Sequence, residues 1–240
     1  IKNIKLELFP KGYVVLAGSL HKYYNDGKHN YNQFGRKEAE IALKRLIGVS
    51  GLQLPYFKVE SVEVGVNLMP PIPSDDIINN ALMYKRKPFE AKYCTDEGNY
   101  RQATLSEYWV KLYNKRLHYE IQGYDIGHEI LRFELKINKM RVLAKYRVFT
   151  LENLMNNIED IAKDMLPKAW EEVLLYDPTM NKQTKEKIIK YANVNFWRGI
   201  AKERKYNYHY NKLYRLMEGN TCAIQAQVKD VMLDTLDCLV

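Results

Sequence analysis

The sequence predicts an α+β fold, in which an antiparallel-rich sheet has helices packed on one face and is followed by a helical C-terminal region. Three stretches of alternating apolar and polar residues indicate half-buried strands, at 59–68, 108–115 and 130–137. Beyond residue 150 the apolar residues recur at helical spacing instead. We therefore expect two regions, a sheet-containing domain at 1–150 and a helical region at 151–240.

Turn residues and periodicity place the other elements of the first region. Pro10 to Gly12 have the composition of a hairpin turn, Ser74 is a good N-cap, and Gly48 is a typical helix stop. These signals predict strands at 4–9 and 13–20, a helix at 32–47, a long strand from 55 to 68, a helix from 74 to about 84, and a hairpin that joins 89–94 to 100–105.

Two basic segments of this region have two interpretations each. Segment 18–25 interleaves basic and aromatic residues around Lys22, which suits phosphate contact and base stacking but also fits an ordinary exposed loop. Segment 85–87, Lys-Arg-Lys, is either a solvated last turn of a helix or a phosphate contact.

The second region is predicted to be helical throughout. The first helix begins at Leu151, and Pro167 is expected to interrupt or kink it before a second helical piece that contains Trp170, Val173 and Leu174. Further helices are predicted at 182–191, 194–218 and 222–236. The helix at 194–218 is basic, and its residues either contact nucleic acid or form a solvated face with aromatic packing behind it.

The polar faces of the three alternating strands carry the candidate chemistry. Side chains two residues apart lie on the same face of a strand. If the strands are neighbours, one face of the sheet would hold two carboxylates, a phenol and two ammonium groups: Glu63, Glu134, Tyr113, Lys111 and Lys115. This set suits chemistry on a phosphodiester, whereas the alternative is the solvated outer face of an antiparallel sheet.

Composition narrows the class of partner. The 37 basic and 29 acidic residues give a net charge of +8, which favours a polyanion without deciding between DNA, RNA and a membrane surface. Three widely spaced cysteines argue against a disulfide framework and fit a reducing cytosol. No apolar run approaches the roughly 20 residues that span a bilayer, and a membrane is not among the expected partners.

The sequence lacks several motifs of nucleotide-dependent and metal-dependent enzymes. It has no Gly-Lys-Ser/Thr phosphate loop, no Gly-x-Gly-x-x-Gly, no Gly-x-Ser-x-Gly and no His-Glu-x-x-His. Its five histidines are scattered and include no His-x-His pair of the kind that holds the metal in many nicking enzymes. A nucleotide cofactor is therefore not indicated.

Three sequence blocks, in this order, resemble the replication initiators of filamentous phages, the gene II type, and their relatives in phages and small plasmids. The blocks are 62–67 (Val-Glu-Val-Gly-Val-Asn), 112–115 (Leu-Tyr-Asn-Lys) and 131–136 (Leu-Arg-Phe-Glu-Leu-Lys). Segment 18–23, Gly-Ser-Leu-His-Lys-Tyr, resembles a further block near the start of many relatives. The likeness covers roughly residues 12 to 145.

The resemblance implies rolling-circle initiation, in which one strand of origin DNA is nicked, linked through its 5′ phosphate to a tyrosine, and later rejoined. By position, Tyr113 would be the nucleophile, Lys115 the lysine of the family's Tyr-x-Lys, and Glu63 and Glu134 the ligands of a divalent metal ion, Mg²⁺ or Mn²⁺. Many relatives have Asp where Glu63 stands, and the longer side chain alters where a metal would be held. The partners would be single-stranded or supercoiled origin DNA and host helicase and polymerase, in the bacterial cytoplasm.

The expected DNA contacts are basic residues in both regions. They are Lys22, Lys111, Arg132, Lys136, Arg198, Lys202 and Lys205. A phenol with a pKa near roughly 10 is a weak nucleophile at neutral pH, so a neighbouring lysine or metal would have to favour the phenolate. A DNA-binding replication regulator that does not cut, or an RNA-binding module, remains an alternative.

Overall fold

The computed structural model describes residues 2–51, 53–91, 99–177, 180–218 and 223–239, and these form the predicted α+β fold. Its strands are β1 Lys5–Leu8, β2 Val14–Ala17, β3 Val62–Leu68, β4 Ala81–Tyr84, β5 Lys87–Pro88, β6 Glu90–Ala91, β7 Tyr100–Thr104, β8 Tyr108–Asn114, β9 Leu131–Ile137 and β10 Val173–Leu175. Its helices are α1 Leu20–Tyr24, α2 Arg36–Ser50, α3 Ser74–Asn80, α4 Lys115–Glu120, α5 Leu151–Glu171, α6 Lys182–Ile188, α7 Val194–Ile200, α8 Lys205–Glu218 and α9 Ala223–Cys238, with 3₁₀ turns at Leu54–Tyr56, Met140–Tyr146 and Ile189–Ala192.

The central sheet has five antiparallel strands in the order β3-β9-β8-β7-β6. The three strands predicted from alternation are its first three members. Strand β3, which carries Glu63, pairs with β9, which carries Glu134, and β8 pairs with the other edge of β9. Strands β1 and β2 form a separate hairpin, and β4 pairs with β5 and β10 in a small second sheet. Within the described ranges, no helix is long and apolar enough to cross a membrane.

The apolar face of the central sheet packs against helices. Val66, Leu112 and Phe133 are fully buried there, in one cluster with Trp170 of α5 and Met232 of α9. The Phe133 and Trp170 rings pack edge to face with their centroids 5.4 Å apart. One core therefore extends across residue 150, the predicted boundary between the two regions.

Helix α5 is continuous, so the predicted interruption at Pro167 is wrong. Thr150 caps the helix start by accepting a hydrogen bond from the Asn153 amide at 3.2 Å, and the helix runs on to Glu171. Pro167 and Trp170 are both buried on the helix side that meets the sheet. Burial of this side offsets the one backbone hydrogen bond that proline removes. Val173 and Leu174, predicted to continue a helix, lie in strand β10 instead.

Of two other predicted helices, one ends early and one is divided. The helix that begins at Ser74 stops at Asn80, because Ala81–Tyr84 is buried as the middle strand of the small sheet. The helix predicted at 194–218 is broken into α7 and α8 by a turn at 201–204. Trp197 and Leu213 share one buried cluster, yet a continuous helix would hold them about 24 Å apart, so packing requires the break.

The remaining predicted elements keep their type but differ in length. The strands predicted at 4–9, 13–20 and 55–68 are shorter, the helix at 32–47 lies at Arg36–Ser50, and the last helix is Ala223–Cys238. The hairpin at 89–94 and 100–105 corresponds to β6 and β7, with part of its first strand and its turn outside the described residues.

Candidate active site on the polar face of the sheet

Three rows of side chains cross the polar face, because directly opposed residues of neighbouring strands project to the same side of a sheet. The rows are Thr104, Trp109, Lys136 and Glu63, then Gln102, Lys111, Glu134 and Gly65, then Tyr100, Tyr113, Arg132 and Asn67. The register therefore brings together both predicted carboxylates, the predicted nucleophile and three of the predicted cations.

The two carboxylates converge on one ammonium group. Lys111 Nζ donates to Glu134 Oε1 at 2.8 Å and to Glu63 Oε1 at 3.1 Å. Arg132 Nε binds the other oxygen of Glu134 at 3.0 Å, and Lys136 Nζ lies 3.1 Å from Glu63 Oε1. The side chain of Glu134 is 5% exposed and that of Glu63 is 42% exposed, so the pair is buried at one end and open at the other.

The charges of this network hold each other ionised. Burial alone would raise the pKa of Glu134, but Arg132 and Lys111 lower it to about 2. Burial would likewise lower the pKa values of Lys111 and Arg132, yet both are raised because Glu134 stabilises their charged forms. Glu134 is therefore an anion at neutral pH, with a cation against each of its oxygens.

Gly65 makes room for this arrangement. A Cβ atom at this position would lie 2.4 Å from Glu134 Cβ and 2.7 Å from the carbonyl oxygen of Phe133. Any larger residue would push Glu134 and the β9 backbone away. The sequence placed Gly65 on the polar face without indicating this role.

Tyr113 lies next to the network and is not ionised in the resting protein. Its ring is part-buried, with the Tyr100 and His118 rings packed edge to face at 5.8 and 6.4 Å. Burial, and then the Glu134 carboxylate, raise the pKa of the phenol well above its ordinary value of 10.0, while Arg132 acts in the opposite direction. A nucleophilic role therefore requires a change in this electrostatic environment.

Lys115 was predicted to lie on the polar face of the strand, but it lies at the start of helix α4, because β8 ends at Asn114. The Asn114 side chain accepts a hydrogen bond from the Leu117 amide at 2.9 Å, and this N-cap begins helix α4 at Lys115. Lys115 Nζ is nevertheless 5.9 Å from the centroid of the Tyr113 ring, so the two groups remain neighbours.

The amino group of Lys115 is buried in an environment that disfavours its charge. Its side chain is 1% exposed, and within the described part of the chain its Nζ has no hydrogen-bond partner. Burial, and then the nearby Arg132 cation, lower the pKa of Lys115 well below its ordinary value of 10.5. Proton loss from this lysine is therefore much easier than from an exposed one.

Asn67 connects the third row to the N-terminal segment, a role that sequence reasoning missed. Its Oδ1 accepts from Arg132 Nη1 at 3.2 Å, and its Nδ2, which has two hydrogens to donate, lies 3.0–3.2 Å from the carbonyl oxygens of Asn30, Tyr31 and Asn32. An asparagine on the polar side of an alternating strand was the available signal. These bonds fix the 30–32 loop at the end of the polar face.

Lys22, a predicted DNA contact, lies on the short helix α1 near the same end of the face. Its Nζ is 5.9 Å from the Tyr119 ring centroid, and its charge contributes to lowering the pKa of Lys115. The neighbouring His21 donates from Nε2 to Asn32 Oδ1 at 2.8 Å, and burial lowers its pKa to about 3. The block at 18–23 is thus close to the site, and its histidine is neutral.

The three predicted contacts of the C-terminal region have different positions. Arg198 on α7 binds Glu90 of the edge strand β6 at 3.0 Å, so it reaches the polar face. Lys202 is exposed in the turn between α7 and α8, and Lys205 at the start of α8 lies 3.7 Å from Glu203. Neither lysine belongs to the polar face of the sheet.

The carboxylate pair suits a hard divalent cation, because both ligands are oxygen atoms and both point to the same position. Magnesium sites often use only one or two carboxylates and complete their coordination with phosphate oxygens and water. Glu63 and Glu134 converge on one point, which the Lys111 ammonium holds, so a metal ion there would have to replace that ammonium. Across the described ranges, no group of three or more His, Cys, Asp or Glu residues converges.

Comparisons with protein-family models, with curated proteins and with solved structures give no match. The function is therefore inferred from the sequence blocks and from the chemistry of this site.

Proposed function

We propose that the protein is a rolling-circle replication initiator that nicks and rejoins one DNA strand through a covalent 5′-phosphotyrosine. One observation carries this proposal: Tyr113 lies beside two carboxylates that converge on a single cation, on a face lined by further cations. This is the combination of nucleophile, cation site and phosphate-binding groups that strand transfer requires.

The reaction at Tyr113 is a substitution at phosphorus. The phenolic oxygen forms a bond to the scissile phosphorus, the bond from phosphorus to the 3′ oxygen breaks, and that oxygen takes a proton from water. Lys115 accepts the phenolic proton, since its lowered pKa favours the neutral amine and its Nζ lies near the Tyr113 ring. The phosphotyrosine retains the energy of the phosphodiester, so rejoining needs no nucleotide cofactor.

Glu63 and Glu134 would hold a divalent metal ion, Mg²⁺ or Mn²⁺, and the ion would supply positive charge to the phosphoryl oxygens. If the metal ion replaced the Lys111 ammonium between the two carboxylates, Lys111 would be free to bind a phosphate oxygen. Positive charge from the metal beside Glu134 would also weaken the effect of that carboxylate on Tyr113, which is one cause of the raised pKa of the phenol. Arg132 and Lys136 would remain on the face as phosphate contacts.

Capture of the covalent adduct tests the proposal without knowledge of the origin sequence. Wild-type protein is incubated with Mn²⁺ and a random-sequence library of labelled single-stranded oligonucleotides, and adducts are isolated under denaturing conditions. We expect an adduct that a chelator abolishes, with phosphate mapped by mass spectrometry to Tyr113. The Tyr113→Phe protein keeps the ring and its packing, so it should bind DNA and form no adduct.

A labelled peptide that contains another tyrosine would show that Tyr113 is not the nucleophile. The matched control is Tyr124→Phe, which removes a hydroxyl from another part-buried aromatic ring while leaving the polar face unchanged. Equal adduct formation by Tyr113→Phe and Tyr124→Phe proteins would refute the assignment.

A DNA-binding replication regulator that does not cut is the second candidate. The raised pKa of Tyr113 and the occupation of the carboxylate pair by Lys111 both favour it. In that case the library would yield reversible complexes and no adduct under any metal condition. With DNA as partner in either case, we assign the protein to the cytoplasm of a bacterial host.

A further inference from the structure

A groove opens beside the polar face, between the edge of the central sheet and the C-terminal helices. It has a volume of about 500 Å³. Its walls include Arg86, Lys87, Glu90, Thr104, Arg198 and Tyr206. The groove is thus lined by strand residues on one side and by α7 and α8 on the other.

The groove lies in line with the candidate site along one row of the sheet. Glu90 pairs across the sheet with Gln102, and Gln102 pairs with Lys111, so Glu90 lies in the same row as the carboxylate network. Strands β6 and β8 are two spacings apart, which places the groove about 10 Å from Lys111. A chain bound across the polar face would reach the groove directly.

The charge of the groove favours a polyanion. Three of its residues are cations, Arg86, Lys87 and Arg198, and one is an anion, Glu90. Residues 182–218, which include the helical wall, contain ten basic and three acidic residues. The rest of the chain has 27 basic and 26 acidic residues, so seven of the eight net positive charges come from this segment.

The helical wall is held in place by aromatic contacts. The Tyr206 hydroxyl donates to the Arg86 carbonyl, and the Arg86 guanidinium lies 4.8 Å from the Tyr210 ring centroid. Tyr206 packs on the fully buried Trp197 with centroids 5.2 Å apart. A fixed, part-exposed tyrosine between cations suits stacking of a nucleic-acid base.

We propose that this groove binds the single-stranded DNA that flanks the scissile phosphate. A cavity of about 500 Å³ matches a ligand of small-molecule size, such as one nucleotide with its phosphate, and is far too small for a duplex. The assignment of DNA rests on the proposed function, whereas the strand-binding role of the groove rests on its own charge and shape.

Equilibrium binding tests the groove separately from cleavage. Fluorescence anisotropy with a mixed-sequence single strand of about 16 nucleotides is measured over a range of salt concentrations, all in the Tyr113→Phe background. The test variant is Lys87→Gln with Arg198→Gln, two exposed changes in the groove. If both residues contact phosphates, the slope of log affinity against log salt should become shallower by about 1.4.

The matched control is Lys163→Gln with Lys168→Gln. It removes the same charge from α5, which covers the opposite face of the sheet. We expect the parental slope from the control, and a smaller effect of the groove changes on a duplex of the same length. A parental slope in the groove variant, an equal loss in the control, or an equal loss with duplex would overturn the proposal.

The experiment also separates this inference from the proposed function. Groove-dependent binding of single-stranded DNA with no covalent adduct would retain the groove and reject the nicking activity. A covalent adduct together with unchanged DNA binding by the groove variant would support the nicking activity and reject the role of the groove. Tighter groove-dependent binding of RNA of the same sequence would reject DNA as the occupant.

Discussion

The substitution Glu134→Gln tests whether the buried carboxylate organises the polar face. The change keeps the shape of the side chain but removes the charge that Lys111 and Arg132 compensate, at 2.8 and 3.0 Å. Both cations would then face a neutral amide in a largely buried position. We expect the variant to fold with a lower free energy of unfolding.

The magnitude follows from the pKa of Glu134. Its pKa is about 2 in the folded protein, against an ordinary value of 4.5, and each pH unit corresponds to about 1.4 kcal/mol. The carboxylate therefore contributes about 3 kcal/mol at neutral pH. This agrees with the roughly 3–5 kcal/mol that is lost when one partner of a buried ion pair is removed.

The sign of the pH dependence is fixed, because the folded-state pKa is lower than the unfolded one. The contribution is fully present above about pH 4.5 and is lost as the pH falls through about 2. The difference between wild-type and Glu134→Gln proteins should therefore be about 3 kcal/mol at pH 7 and less than half of that at pH 3. Urea unfolding followed by circular dichroism at pH 7, 5, 4 and 3 measures it.

Glu63→Gln is the matched control, since Glu63 contacts the same ammonium but is 42% exposed. Exposed ion pairs contribute about 0–1 kcal/mol, so the control should lose at most that amount. Equal losses in the two variants would refute the reasoning. A Glu134→Gln loss that stays constant from pH 7 to pH 3 would also refute it, because the charge would then not be its cause.

Two further substitutions test the packing of the site. Gly65→Ala would place a Cβ atom 2.7 Å from the Phe133 carbonyl oxygen, so we expect the free energy of unfolding to fall by about 1–3 kcal/mol. The melting temperature should fall by roughly 2–4 °C for each kcal/mol. The control Gly127→Ala adds a Cβ atom with nothing within 4 Å, so it should melt like the wild type. Lys115→Met removes a buried amino group that has no hydrogen-bond partner in the described chain, and should raise the free energy of unfolding at pH 7. Because the pKa of Lys115 is lowered on folding, the wild type should gain stability as the pH rises from 7 towards 10, and an identical gain in Lys115→Met would contradict this account.

Local backbone geometry accounts for what the sequence alone predicted correctly. Side chains alternate along any strand, so the assignment of Glu63, Lys111, Tyr113 and Glu134 to polar faces needs no knowledge of the partner strands. The fold class follows in the same way from the change of apolar spacing near residue 150. These predictions hold because each depends on neighbours in the chain.

The pairing of these faces was decided only by the tertiary structure. A shift of one residue in the β9–β8 register would turn Glu134 away from Lys111, and no local pattern determines that register. The burial of Lys115 depends on where Asn114 caps α4, and the groove exists because the α7–α8 break brings Arg198 to the β6 edge. In each case contacts between distant parts of the chain outweigh local propensity, because burial of apolar side chains such as Trp197 stabilises a conformation that the local sequence does not specify.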